Sequence, residues 1–387
     1  MNEPDGHPPQ IYKQNIGDAV LPYLLYEGGG PPLIFLHATG FVPWLWHPLA
    51  RELASSYRIV APSLCEHRET DPESGGLSWV TLAEDMVRLC NTLQLEKPFL
   101  VGHSMGATVH LIAHTLYGLQ AAGMILIEPI LLPAEFYHGR MSVDEHPFAA
   151  KAIRRTNFWH NRDEAMAYLR SRSLFQGWDD EMLELYIRHG MTKGTNGGLQ
   201  LACSPQREAA LFMGGRQFDP WPLLPQVSCP VLLVEGEKSE TVGFIDLDRI
   251  QTLIPNTRRR TVKGAGHLVP MECPREVTRI IREFFNSLRQ RKDKMDYAVS
   301  LRRDRLLKQP KEDVSMATTA KAKTGKKAVK APAKAAAKAK PAKKAAKKAP
   351  AKAKPAKKAA KKAPAKAVKK AAVKAKPAAK KPVRAKK

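Results

Sequence analysis

Short, nearly unbroken apolar runs punctuate the first third of the chain: Leu33 to Leu36, Tyr57 to Ala61, Pro98 to Val101 and Met124 to Ile127. Each is too short for a helix and is bounded by Gly, Pro or polar residues, the pattern of a parallel strand buried on both faces. Between them lie segments of helical period. Trp44 to Ala54 is one. Leu82 to Leu93, with apolar residues at 82, 83, 86, 87, 89, 90 and 93, is another, and Thr108 to Leu116 is a third. Residues 11–27 read as a pair of short strands, closed by the break Gly28-Gly29-Gly30-Pro31-Pro32. Strand alternating with helix predicts an α/β fold, a mostly parallel sheet with helices on both faces. In such sheets ligands bind at the carboxyl ends of the strands.

The alternation stops from about Leu132 to Pro225. That stretch is helical in pattern, as in Glu164 to Leu174 and Asp180 to Arg188, and rich in aromatic residues, among them Trp159, Phe175, Trp178 and Tyr186. Most of these aromatics are expected to form the segment's own core, and a few to line an apolar pocket. The strand rhythm returns at Val231 to Val234 and Arg259 to Val262, and Pro274 opens an amphipathic helix with Val277, Ile280, Ile281, Phe284, Phe285 and Leu288 on one face. Residues 291–315 are highly charged and read as a linker or a solvated helix.

Composition changes the picture only at the end of the chain. The net charge is +26, yet 28 of the 63 Lys and Arg residues lie between Met316 and Lys387 without one Asp or Glu, leaving 35 basic against 37 acidic residues elsewhere. The body is therefore near neutral. Residues 338–351, KAKPAKKAAKKAPA, recur as 352–365. Such a segment has almost nothing to bury, and Pro interrupts each Ala/Lys run, so 316–387 is expected to be disordered when free. Five scattered cysteines, with no C-x-x-C pair, predict free thiols rather than a disulfide framework or zinc site. The start of the chain lacks a signal-peptide layout, and no run approaches the ~20 apolar residues of a membrane span. A cytoplasmic protein follows, nucleoid-associated if its tail binds DNA.

The chemistry centres on Val101-Gly102-His103-Ser104-Met105-Gly106-Ala107, between an apolar run and a helical segment. This is G-x-S-x-G in a strand–turn–helix setting, where a sharp turn needs small residues two places either side of the serine. Together with Leu36-His37-Ala38-Thr39-Gly40-Phe41 and Gly264-Ala265-Gly266-His267, in that order, it makes residues 20–290 resemble the α/β-hydrolase family. The resemblance implies an α/β-hydrolase core over 1–132 and 226–290, with 133–225 as an inserted helical cap. It also implies a serine hydrolase of esterase/lipase type, acyl transfer included, acting on a small acyl ester. Ser104 would be the nucleophile and His267 the base. The backbone N–H groups of Met105 and Thr39 would bind the oxyanion. With Ser rather than Asp as nucleophile, epoxide and haloalkane hydrolysis are disfavoured. No metal or redox cofactor is implied.

The third catalytic group has two candidates. The family's usual acid follows the strand at 231–234, where this chain reads Gly236-Glu237-Lys238-Ser239, a serine in the expected place of Asp, with Glu240 one residue on. Glu128, at the end of the strand after the elbow helix, is the other and is favoured, since some members place their acid there. The tail resembles the repeats of linker histones and bacterial histone H1-like proteins. By polyelectrolyte physics its expected partner is DNA or another polyanion, bound with little sequence preference and steep salt dependence. The competing reading is a nucleic-acid-associated protein whose hydrolase-like body is a non-catalytic binding module.

Overall fold

In the structure, a computed structural model, the chain is described over residues 9–195 and 197–308; the lysine-rich segment 316–387 and the end of the charged segment 291–315 lie outside the described residues. The chain opens with β1 (Gln10–Asn15), β2 (Val20–Tyr26) and β3 (Pro32–Leu36), then α1 (His47–Leu53), β4 (Arg58–Pro62) and α2 (Trp79–Thr92). Next come β5 (Phe99–His103), α3 (Met105–Thr115) and β6 (Gly123–Ile127). The helical stretch follows: α4 (Pro147–Ile153), α5 (Arg162–Arg170), α6 (Ser173–Gln176), α7 (Asp180–His189), β7 (Met191–Lys193), β8 (Leu199–Leu201) and α8 (Pro205–Gly214). The sheet resumes with β9 (Val231–Gly236), α9 (Leu247–Leu253), β10 (Thr257–Val262), α10 (Val269–Glu272) and α11 (Pro274–Lys308).

Eight strands form one sheet in the order β1-β2-β4-β3-β5-β6-β9-β10. β1–β2 and β2–β4 pair antiparallel, and all other neighbours are parallel. The apolar runs explain why the central strands tolerate helices on both faces. Within β3, Leu33 and Phe35 join a cluster containing Leu49 and Leu53 of α1 and Ile281 and Phe285 of α11. Ile34 and Leu36 join the opposite cluster, with Leu82, Met86 and Leu89 of α2 and Val109 of α3. Period-two alternation sends successive side chains to opposite faces, and here both faces are apolar. Burial of each such Leu, Ile or Phe contributes on the order of 1.5–3 kcal/mol. The edge strand β10 differs: Arg258, Arg259 and Arg260 stand in it, charge that discourages pairing with a further strand.

Two features depart from the sequence reading. The helix opened by Pro274 runs on to Lys308, 35 residues in all, with residues 291–300 exposed. Cys65 and Cys203 are joined in a disulfide with Cα atoms 5.8 Å apart, while Cys90, Cys229 and Cys273 are free. The expectation of five free thiols was wrong because these two residues lie 138 apart in sequence. Only the fold brings the loop after β4 beside the start of α8, and spacing rules see local pairs alone. Among the described residues no helix is long and apolar enough to cross a membrane.

Candidate active site

Three strand ends and one loop converge at the carboxyl edge of the sheet. β5 ends at His103 and α3 begins at Met105, so Ser104 alone makes the turn, at φ 53° and ψ −117°. That left-handed conformation is strained for a residue with a side chain. The flanking glycines are sterically required. A Cβ at Gly102 would lie 2.5 Å from the Ala107 nitrogen and one at Gly106 2.4 Å from the Leu36 carbonyl oxygen. Ser104 is held by its own N–H, which donates to the Ile127 carbonyl at 2.9 Å. Its hydroxyl is thereby presented at the positive end of α3, beside the Met105 N–H, the first amide of that helix.

His267 arrives on the loop between β10 and α10. Its Nε2 is 3.1 Å from the Ser104 Oγ and its Nδ1 is 3.1 Å from Glu128 Oε2. Since the carboxylate only accepts, Nδ1 carries the proton and Nε2 offers its lone pair to the serine hydroxyl. The loop is clamped by Glu272, which accepts from the N–H of Gly266 at 2.5 Å and of Leu268 at 3.2 Å. It also packs closely on the end of β9, where a Cβ at Gly236 would fall 2.1 Å from the Gly266 carbonyl oxygen.

Glu128 stands immediately after β6, itself at φ 49°. It is buried, 2% exposed, where an unpaired carboxylate would be costly. Its partners are Gly236 N–H to Oε1 at 2.7 Å, and Ser239 Oγ and Thr241 Oγ1 to Oε2 at 2.7 and 2.6 Å, besides His267. Burial pushes its pKa up, but the bonds from His267, Thr241 and Gly236 outweigh that and leave it below the ordinary carboxylate value.

Two further histidines shape the site without facing solvent. His37 donates from Nδ1 to the Ala38 carbonyl at 2.9 Å and accepts the Leu64 N–H at Nε2 at 3.0 Å, which fixes the start of the loop carrying Thr39. Burial pushes its pKa down to about 4. His103 donates from Nε2 to the His267 carbonyl at 2.9 Å, and burial takes its pKa to about 3. Both are therefore neutral scaffold groups at pH 7. Thr39 is 8% exposed in the loop after β3, which turns back through the bond from Phe41 N–H to the Ala38 carbonyl.

Comparison with known proteins matches residues 33–280 to the alpha/beta hydrolase family. The chain belongs to that family. Of its relatives, the 2-(acetamidomethylene)succinate hydrolase of Mesorhizobium japonicum is 25% identical over 261 residues, spanning 67% of this chain and 90% of its own. The esterase YbfF of Escherichia coli is 24% identical over 238 residues, spanning 62% of this chain and 86% of its own. The crystal structure of E-2-(acetamidomethylene)succinate hydrolase superposes with a TM-score of 0.62 at 23% identity, covering 72% of this chain and 99% of that one, a likeness that bears on the fold.

In this α/β hydrolase the fold brings Ser104, His267 and Glu128 into one hydrogen-bonded chain, with Met105 at the start of α3 and Thr39 in the loop after β3. Glu240 is not brought to His267; it is exposed at the start of a 3-10 turn over Glu240–Gly243. The residues that sequence reasoning missed are those that hold Glu128 and the histidine loop: Ser239, Thr241, Gly236, Glu272 and His103. One signal was present. A serine stands where the family's usual acid would be, and in the structure that serine donates to the Glu128 carboxylate at the end of β6.

Proposed function

We propose that this protein is a serine hydrolase acting on a carboxylic ester or related acyl substrate through an acyl-enzyme at Ser104. The observation that carries the reading is the relay from Ser104 Oγ to His267 Nε2 and from His267 Nδ1 to Glu128, 3.1 Å at each step. His267 takes the hydroxyl proton as Ser104 Oγ attacks the acyl carbon. Glu128 keeps the imidazole in the required tautomer and stabilises the imidazolium that forms. The Met105 and Thr39 N–H groups bind the developing oxyanion. The imidazolium then protonates the leaving alkoxide. Deacylation repeats these steps with water, or another acyl acceptor, in place of the serine. An esterase among the relatives supports the ester class.

Residues 133–225 act as a cap in this reading. Support comes from the packing of Glu208 against Gly40, the bond from Asp179 N–H to the Met271 carbonyl at 2.9 Å, and the seating of Phe41 between Trp178 and Tyr186. The segment 316–387 tethers the enzyme to DNA or another polyanion by counterion release, on the strength of its 28 basic and no acidic residues.

A serine-directed fluorophosphonate tests the catalytic claim. Labelling of the wild type at Ser104, absent in Ser104→Ala together with loss of p-nitrophenyl butyrate turnover, is the expected result. An unlabelled wild type refutes it. The tether is tested separately by retention on duplex DNA, lost between low and high salt; retention independent of salt refutes it.

A further inference from the structure

Beside the oxyanion loop lies a charged pair that the catalytic relay does not use. Arg155, just after α4, donates from Nη1 to Glu208 Oε2 of α8, with the two side chains 20% and 12% exposed. The Glu208 side chain lies flat on Gly40: a Cβ there would meet its Oε1 at 2.7 Å and its Cδ at 2.8 Å. Gly40, at φ +77°, follows Thr39 directly. The pair thus sits one residue from an N–H assigned to the oxyanion.

Part of its hydrogen-bonding capacity is unspent. A guanidinium has five N–H donors, and Arg155 directs two of its side-chain interactions to Glu208 and to the Tyr186 hydroxyl. Among the described residues no hydrogen bond reaches Glu208 Oε1. The Tyr186 hydroxyl, buried at 1% exposure, is coupled to Arg155 by charge and by a side-chain hydrogen bond. Burial pushes its pKa up, so it stays a neutral donor and acceptor. The remaining guanidinium donors and Glu208 Oε1 lie side by side, where a polar partner can meet both. The pair is charge-balanced. A carboxylate brought to Arg155 would also face Glu208 and be repelled. A carboxamide meets both, its carbonyl accepting from Arg155 and its N–H donating to Glu208 Oε1.

We propose that Arg155, Glu208 and Tyr186 form a specificity subsite that takes a neutral carboxamide-like group of the substrate's acyl part. The proposal rests on the serine-hydrolase reading and adds the chemical class of the substrate.

The test uses the full chain and p-nitrophenyl esters of matched acyl length, four to six carbons, ending in carboxamide, carboxylate or methyl. Wild type is expected to favour carboxamide over methyl by about tenfold or more in kcat/KM, as two net hydrogen bonds would give, and to favour it over carboxylate. In Arg155→Met/Glu208→Met the carboxamide-to-methyl ratio falls to near unity. Two apolar side chains of similar length can replace a buried ion pair without loss of the fold. Glu208→Gln, nearly isosteric and still able to accept, retains a preference. A purely structural role would lower all three esters alike and leave the ratio unchanged, which overturns the subsite. So does a wild-type preference for methyl or carboxylate. Failure of all three esters together with absent fluorophosphonate labelling removes the hydrolase reading itself, and the subsite with it.

Discussion

Replacing Glu128 by Gln removes a negative charge while keeping the side chain's shape. The loss can be estimated from the geometry. With Glu128 Oε2 3.1 Å from His267 Nδ1, unit charges at an effective dielectric constant of about 20 interact by about 5 kcal/mol. That stabilisation exists only when the imidazole is protonated, so it acts on the transition state. A Gln oxygen can still orient the ring, so part of the 5 kcal/mol is retained. At about 1.4 kcal/mol per decade, kcat for p-nitrophenyl butyrate is expected to fall by about 10²–10⁴. The KM should change little, because Glu128 is buried behind His267. Stopped-flow measurement of the acylation burst separates acylation from steady-state turnover. Glu240→Gln, at an exposed position, is expected to stay within about threefold of wild type. A Glu128→Gln variant with near-normal acylation, or a Glu240→Gln variant that loses it, would refute this assignment of the acid.

Three further outcomes follow from the packing. A folded-state pKa of about 4 for His37, down from 6.5, corresponds to roughly 3 kcal/mol. Because the folded value is depressed, that stability is fully present above pH 6.5 and is lost as pH falls toward 4. Thermal unfolding at pH 7.5 and 4.5 should show the decline, and His37→Gln, which keeps an acceptor for the Leu64 N–H, should make it shallower. Gly236→Ala would place a methyl 2.1 Å from the Gly266 carbonyl oxygen; a loss of about 1–3 kcal/mol in urea unfolding is expected, with kcat falling as the His267 loop shifts. The Cys65–Cys203 bridge closes a long loop, so Cys65→Ser/Cys203→Ser should lose about 2–4 kcal/mol relative to the oxidised wild type. Dithiothreitol should lower the wild-type melting temperature and leave the double variant unmoved.

By itself the sequence determined the sheet, because buried parallel strands need apolar residues at every position and Leu33 to Leu36 or Met124 to Ile127 can be little else. It also marked Ser104 and His267, since a turn as tight as the elbow admits only glycine at 102 and 106, and a steric demand of that kind is written locally. Tertiary structure decided what depends on distant segments meeting. Which carboxylate meets the His267 ring, Glu128 or Glu240, turns on where the ends of β6 and β9 lie relative to a loop more than a hundred residues from Glu128. The disulfide, and the seat of Glu208 on Gly40, join segments just as remote. Backbone geometry fixes neighbours a few residues apart; contacts across the fold exist only once the sheet has ordered its strands.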